Sequence, residues 1–168
     1  MSSKATAALD ELSRVGIITK TESTGQHLYS VNRNHYLAEL LQKIFRAEEE
    51  KLPVIQARLR RALGSLSGVL LGAIYGSGAK ETTKPDSDLD VLAIIDSQQS
   101  SDNVRDVLIA EGDQLHVRYG SRISPVVLTS KHWATLVAKR DSFALSASAD
   151  AKVFMGSFSD LESNEQRR

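Results

Sequence analysis

Three observations on the sequence predict an α+β fold built on a mixed β-sheet. Two apolar runs, Val69–Tyr75 and one ending at Ile95, flank a Gly-Ser turn and a polar connection, as two core strands would. Segments of helical period then alternate with short strand-like runs up to Met155. Before all of this, a helix, a hairpin and amphipathic helical stretches occupy the first sixty or so residues, which lean basic where the remainder leans acidic.

In chain order, Ser2 or Ser3 can cap a helix to about Val15, with Ala5, Ala8, Leu9, Leu12 and Val15 at helical spacing and Gly16 ending it. Ile17–Lys20 and His27–Val31 read as strands joined by a polar turn, Thr21 to Gln26. Leu37, Leu40, Leu41, Ile44 and Phe45 form one apolar stripe that must be buried somewhere, whether its helix docks on the sheet domain, joins the N-terminal module to it or forms a dimer seam. Glu48-Glu49-Glu50-Lys51 interrupts it, and Pro53 suits the first turn of a new helix whose Ile55, Leu59, Ala62 and Leu63 share a face. Arg58, Arg60 and Arg61 fit the solvated side of that helix.

Gly64–Gly68 marks a boundary, and the opening strand follows. Beyond Ile95, Asp102 can cap a helix from Asn103 to about Tyr119 with Val104, Val107, Leu108, Leu115 and Tyr119 inward, Gly112 as a weak spot and Gly120 as its end. Ile123–Leu128 reads as a strand that Pro125 assigns to a sheet edge or a bulge. Helices at Lys131–Lys139 and Ser142–Ala149, with Trp133 and Phe143 in the core, precede a strand at Lys152–Met155 and a frayed tail. The expected organisation is 1–35, a helix and hairpin; 36–63, linking or dimerisation helices; 64–156, the sheet domain; and 157–168, the tail.

Composition narrows the function. The 168 residues carry no net formal charge and no cysteine, which excludes disulfides and thiolate metal sites. The longest apolar run falls far short of the ~20 residues that span a bilayer, and the N-terminus lacks a signal-type core, so a soluble cytoplasmic protein with no membrane partner is expected. His27, His35, His116 and His132 are scattered without ligand spacing and offer no nucleophile triad.

The chemistry concentrates in Leu70–Ile95. Asp88 and Asp90 are two apart at the mouth of a strand, so their carboxylates share a face and repel unless a cation or a proton lies between them. Such oxygen ligands suit Mg²⁺ (or Mn²⁺) completed by water and substrate phosphate. Gly76-Ser77-Gly78 stands where strand gives way to an expected short polar helix, whose free N–H groups can hold phosphate. Metal beside phosphate describes a nucleoside triphosphate site.

Rival motifs fail on their spacing. Asp86, Asp88 and Asp90 could open an EF-hand loop, but its glycine and glutamate positions hold Val91 and Ser97. A dinucleotide fingerprint would need glycine at Glu81, and a P-loop would need Gly-Lys-Ser/Thr where Gly78-Ala79-Lys80-Glu81 stands.

Tyr75-Gly76-Ser77-Gly78-Ala79-Lys80 followed by Pro85-Asp86-Ser87-Asp88-Leu89-Asp90 resembles the signature of the polymerase β-like nucleotidyltransferases, closest to their minimal branch. The resemblance covers the two core strands and their turn, and it implies a nucleotidyltransferase-type mixed sheet flanked by helices. It also implies that Gly76 and Ser77 bind the β- and γ-phosphates and that Asp88 and Asp90 are the catalytic metal ligands, with Lys80 and Ser87 in the nucleotide site and Lys84 a weaker candidate. The activity implied is transfer of an NMP group from an NTP to a small molecule or a protein. Two departures stand against the family pattern. The later strand that usually supplies a third carboxylate reads Arg122-Ile123-Ser124-Pro125-Val126-Val127, and Glu81 replaces a common glycine. Glu111 and Asp113 are on the preceding helix with nothing to aim them at the site.

The first 35 residues resemble the back half of a winged helix-turn-helix, ending in Leu28-Tyr29-Ser30-Val31-Asn32, without counterparts of that family's two preceding helices. This resemblance implies a second reading, a DNA-binding transcriptional regulator whose nucleotidyltransferase fold is a non-catalytic nucleotide sensor or scaffold. Lys4, Arg14 and Lys20 would be its main phosphate contacts, too few for more than feeble non-specific affinity. A third reading is an antitoxin-like partner of another small protein that docks on the Leu37–Phe45 stripe.

Overall fold

The computed structural model describes residues 3–76, 88–96 and 100–165. The chain divides into two compact units, Met1–Glu50 and Lys51–Arg168.

The first unit opens with α1 (Ser3–Arg14), followed by Gly16 in the left-handed region and an antiparallel hairpin of β1 (Ile18–Ser23) and β2 (Gln26–Val31). Ser23 pairs with Gln26, so the turn is only Thr24-Gly25, shorter than the Thr21–Gln26 turn expected. Both turn residues have positive φ, +43° and +79°, the geometry that two-residue hairpins favour because it matches strand twist. Asp10 ties α1 to the hairpin, accepting from Lys20 Nζ at 2.8 Å and from the Tyr29 hydroxyl at 3.1 Å.

α2 (Ala38–Gly64) is one helix where two were expected. It passes through both Glu48–Lys51 and Pro53. Proline removes one backbone donor and crowds the preceding turn, a local cost of about 3 kcal/mol that a long helix anchored by buried Ile55, Leu59 and Leu63 can bear.

The second unit is organised on a four-stranded mixed sheet in the order β5-β4-β3-β6. β3 (Val69–Tyr75) pairs antiparallel with β4 (Leu89–Ile95) on one side and β6 (Lys152–Met155) on the other, while β5 (Ile123–Thr129) runs parallel to β4. β5 is an edge strand, as Pro125 requires of a residue without an N–H. Side-chain alternation gives the sheet two buried faces. On one, Ile74, Val91, Ala93 and Ile95 pack with Ile55, Leu59 and Leu63 of α2 and with Val104, Leu108 and Leu115 of α3 (Ser101–Tyr119). On the other, Leu71, Ala73, Leu92 and Ile94 pack with Trp133 of α4 (Ser130–Ala138), Ala144 and Ala147 of α5 (Ser142–Ala149) and Leu161 of α6 (Phe158–Glu165).

Two local expectations change. Ser100, rather than Asp102, caps α3, its hydroxyl accepting from the Asn103 N–H, and Gly120 closes the helix at φ +66°. Residues 158–165, expected as frayed tail, form α6, because Phe158 and Leu161 find apolar partners beside Trp133. Among the described residues no helix is long and apolar enough to cross a membrane.

Candidate active site

β3 and β4 set the site at the end of the sheet where β3 runs out at Gly76. Tyr75, the last residue of β3, is in register with Asp90 on β4, and Asp90 is in register with Ser124 on β5. Register partners share a face, so Tyr75, Asp90 and Ser124 form a row across three strands. Asp90 alternates with buried Val91 and therefore lies on the face of Leu92 and Ile94, the side covered by α4 and α5. Asp88 stands two residues before it and is exposed.

Gly76 closes this corner. Its φ is +69°, and a Cβ there would lie 2.7 Å from Asp90 Oδ2, so the turn backbone is already against the carboxylate. Only glycine satisfies both conditions.

Electrostatics agree with the spacing argument. Burial pushes the Asp90 carboxyl above its ordinary pKa, and the negative charge of Asp88 pushes it further. Burial likewise raises the Tyr75 phenol, with the Asp90 charge as a second cause. Tyr75 meets Phe143 edge-on at 5.5 Å, and Phe143 meets Trp133 edge-on at 6.5 Å, so aromatic packing runs from Asp90 into the core. Two oxygen donors that repel each other beside a close backbone approach fit a hard divalent cation.

Of the residues singled out in the sequence, Gly76, Asp88 and Asp90 come together. Ser77, Lys80 and Ser87 lie outside the described residues, as do Gly78, Glu81, Lys84 and the expected short helix. Among the described residues there is no group of three or more metal-ligating side chains. Glu111 is held elsewhere: α3 covers the opposite sheet face, and Glu111 accepts from Arg58 Nε at 2.5 Å. Asp113 is exposed on the same helix. In the first unit Arg14 is paired with Glu11 and Lys20 with Asp10, while Lys4 is exposed.

Sequence reasoning missed Tyr75 and Phe143 as parts of the site's wall. Tyr75 could have been found from its place immediately before Gly76; Phe143, read as core, is far away in sequence and carries no such signal.

No protein-family model matches the chain, and no curated protein does. Among solved structures, it is similar to a chain of a toxin-antitoxin crystallised with AMP-PNP, at 14% identity and a TM-score of 0.44 over 67% of this chain and 82% of that one. It is also similar to a chain of an MntA-HpeT toxin-antitoxin carrying two aspartate-to-glutamate changes, at 12% identity and a TM-score of 0.43 over 67% and 81%.

Proposed function

We propose that this chain is a metal-dependent nucleotidyltransferase that moves an NMP group from an NTP to a hydroxyl of a small molecule or a protein. The observation that carries this reading is the contact of the Gly76 backbone with the Asp90 carboxylate, with Asp88 two residues away on the same strand end. Asp88 and Asp90 would hold Mg²⁺ or Mn²⁺, which supplies charge neutralisation to the triphosphate and to the pyrophosphate that leaves. Gly76 admits the triphosphate close to the backbone, and the sequence places Ser77 beside it to donate to a phosphate oxygen. Tyr75, packed edge-on against Phe143, is the strand neighbour of Asp90 and shares its side of the sheet, where Asp90 is partly buried.

Ser124, the strand neighbour of Asp90, carries no charge, so among the described residues of the site the pair of aspartates is left to take the acceptor's proton. Slow transfer follows from that shortage of base. The test is incubation with labelled NTPs, Mg²⁺ or Mn²⁺ and cell extract, comparing wild type with Asp88→Asn and Asp90→Asn. Loss of about 10² or more of the label transfer in both variants is expected, the scale on which a positioned acid–base group contributes. Equal transfer by all three proteins would overturn the reading.

A further inference from the structure

Both halves of α2 carry apolar residues at helical spacing, with opposite burial. Ile55, Leu59 and Leu63 are at most 1% exposed, whereas Leu40, Ile44 and Phe45 are 54%, 55% and 64% exposed. Among the described residues of Met1–Glu50, Ala38 is the one buried hydrophobic side chain. A stretch of this size without a core has little to hold it, and a contiguous apolar stripe left in water marks a protein contact.

We propose that this stripe is covered by a second copy of the chain, the two α2 helices packing antiparallel about a two-fold axis at the Gln42–Lys43 peptide. The sequence Leu40-Leu41-Gln42-Lys43-Ile44-Phe45 is self-complementary in this sense. A two-fold axis at its centre lays Leu41 on Ile44 of the second copy and Leu40 on Phe45 of the second copy, each contact made twice, as an isologous interface requires. A foreign partner would demand no such palindrome.

Charge selects the direction. Leu37, Leu41, Ile44, Glu48 and Lys51 follow alternating four- and three-residue steps, the pattern of a helix–helix seam. Parallel helices in register would bring Glu48 against Glu48 and Lys51 against Lys51 inside the seam. The antiparallel arrangement separates these like charges and moves Glu48 to the margin, beside Leu37 of the second copy. Helical period turns Glu39 and Arg46 to the far side, and the Glu39–Lys43 ion pair at 2.8 Å draws Lys43 outward. The remaining turns, from Ile55 onward, are already used inside the sheet-bearing unit, so the seam is confined to the first half of the helix.

Light scattering or sedimentation of the full chain tests the proposal. The mass of two chains is expected, and Leu41→Glu and Ile44→Glu should each weaken self-association at least tenfold with unchanged far-UV dichroism, since Ile44 is exposed and Leu41 partly so in the single chain. A wild type of one-chain mass at tens of micromolar, or a dimer indifferent to both substitutions, overturns it. The cysteine-free sequence allows a single spin label at Lys51→Cys, on the seam side of the helix. At ~1.5 Å of rise per residue, antiparallel helices place the two labels roughly 20–30 Å apart. A separation below about 15 Å would mean a parallel seam and would overturn the stated geometry.

Discussion

Asp90 is the residue on which the site's electrostatics turn. Burial first, and the Asp88 charge second, hold its pKa above the ordinary carboxylate value. An acid with a raised folded-state pKa holds its proton more tightly folded than unfolded, so ionising it lowers stability. The penalty is absent below the unfolded value of about 3.9, grows as pH climbs to the folded pKa, and is complete above it. Asp90→Asn should therefore melt higher than wild type at pH 7, with the gain shrinking towards zero as pH falls towards 4. Mg²⁺ at about tenfold its dissociation constant should stabilise wild type by about 1.4 kcal/mol and leave Asp90→Asn unmoved. Melting curves at several pH values, with and without Mg²⁺, check both statements; a difference between the proteins that does not change with pH would contradict the first.

Among the elements, α3 packs on β5, the strand that carries Ser124, and Gly112 is a point of close approach between them. A Cβ on Gly112 would lie 2.5 Å from Ile123 Cγ1, and Ile123 is β-branched and stiff at χ1, so it cannot swing aside cheaply. Gly112→Ala would gain about 1 kcal/mol in helix propensity but lose about 1–3 kcal/mol to overpacking. We expect net destabilisation of about 1 kcal/mol in denaturant unfolding, reversed to a gain when Ile123→Ala makes room; stabilisation by Gly112→Ala alone would refute the contact. The sequence marked Gly112 as a weak spot because helix propensity is local, whereas the strand that fills the space is not. The same distinction explains what else was legible. β3, β6 and α5 have the limits read from the sequence, since apolar runs and turn residues bound them. The continuity of α2 was hidden because Glu48–Lys51 and Pro53 are local break signals, while the burial of Ile55, Leu59 and Leu63 that sustains the second half is tertiary. In the site, the i, i+2 spacing of Asp88 and Asp90 is written in the chain. The row Tyr75–Asp90–Ser124 is not, because register between strands depends on packing and connections beyond any one segment.

For the whole molecule, the two apolar clusters determine which part can fold by itself. Every residue of both clusters, and every partly buried hydrophobic packed against them, falls between Leu52 and Leu161. The residues of the candidate site fall in the same interval. A fragment of residues 51–168 should therefore fold cooperatively and keep the Mg²⁺-dependent rise in melting temperature. Its new N-terminus suits a helix start: in Lys51-Leu52-Pro53 the proline joins a first turn whose amides have no intrahelical acceptors, whereas within the complete α2 it interrupts the ladder. Removing that interruption offsets part of what is lost with the preceding turns. A melting temperature within about 5 °C of the full chain, corresponding to about 1 kcal/mol, is expected by calorimetry. Residues 1–50 alone should show no cooperative transition at concentrations that keep them single chains, since Ala38 is their one buried hydrophobic side chain among those described. A fragment 51–168 that fails to fold, or that folds without any response to Mg²⁺, would mean that the first fifty residues support the sheet or the site in a way the apolar clusters do not reveal.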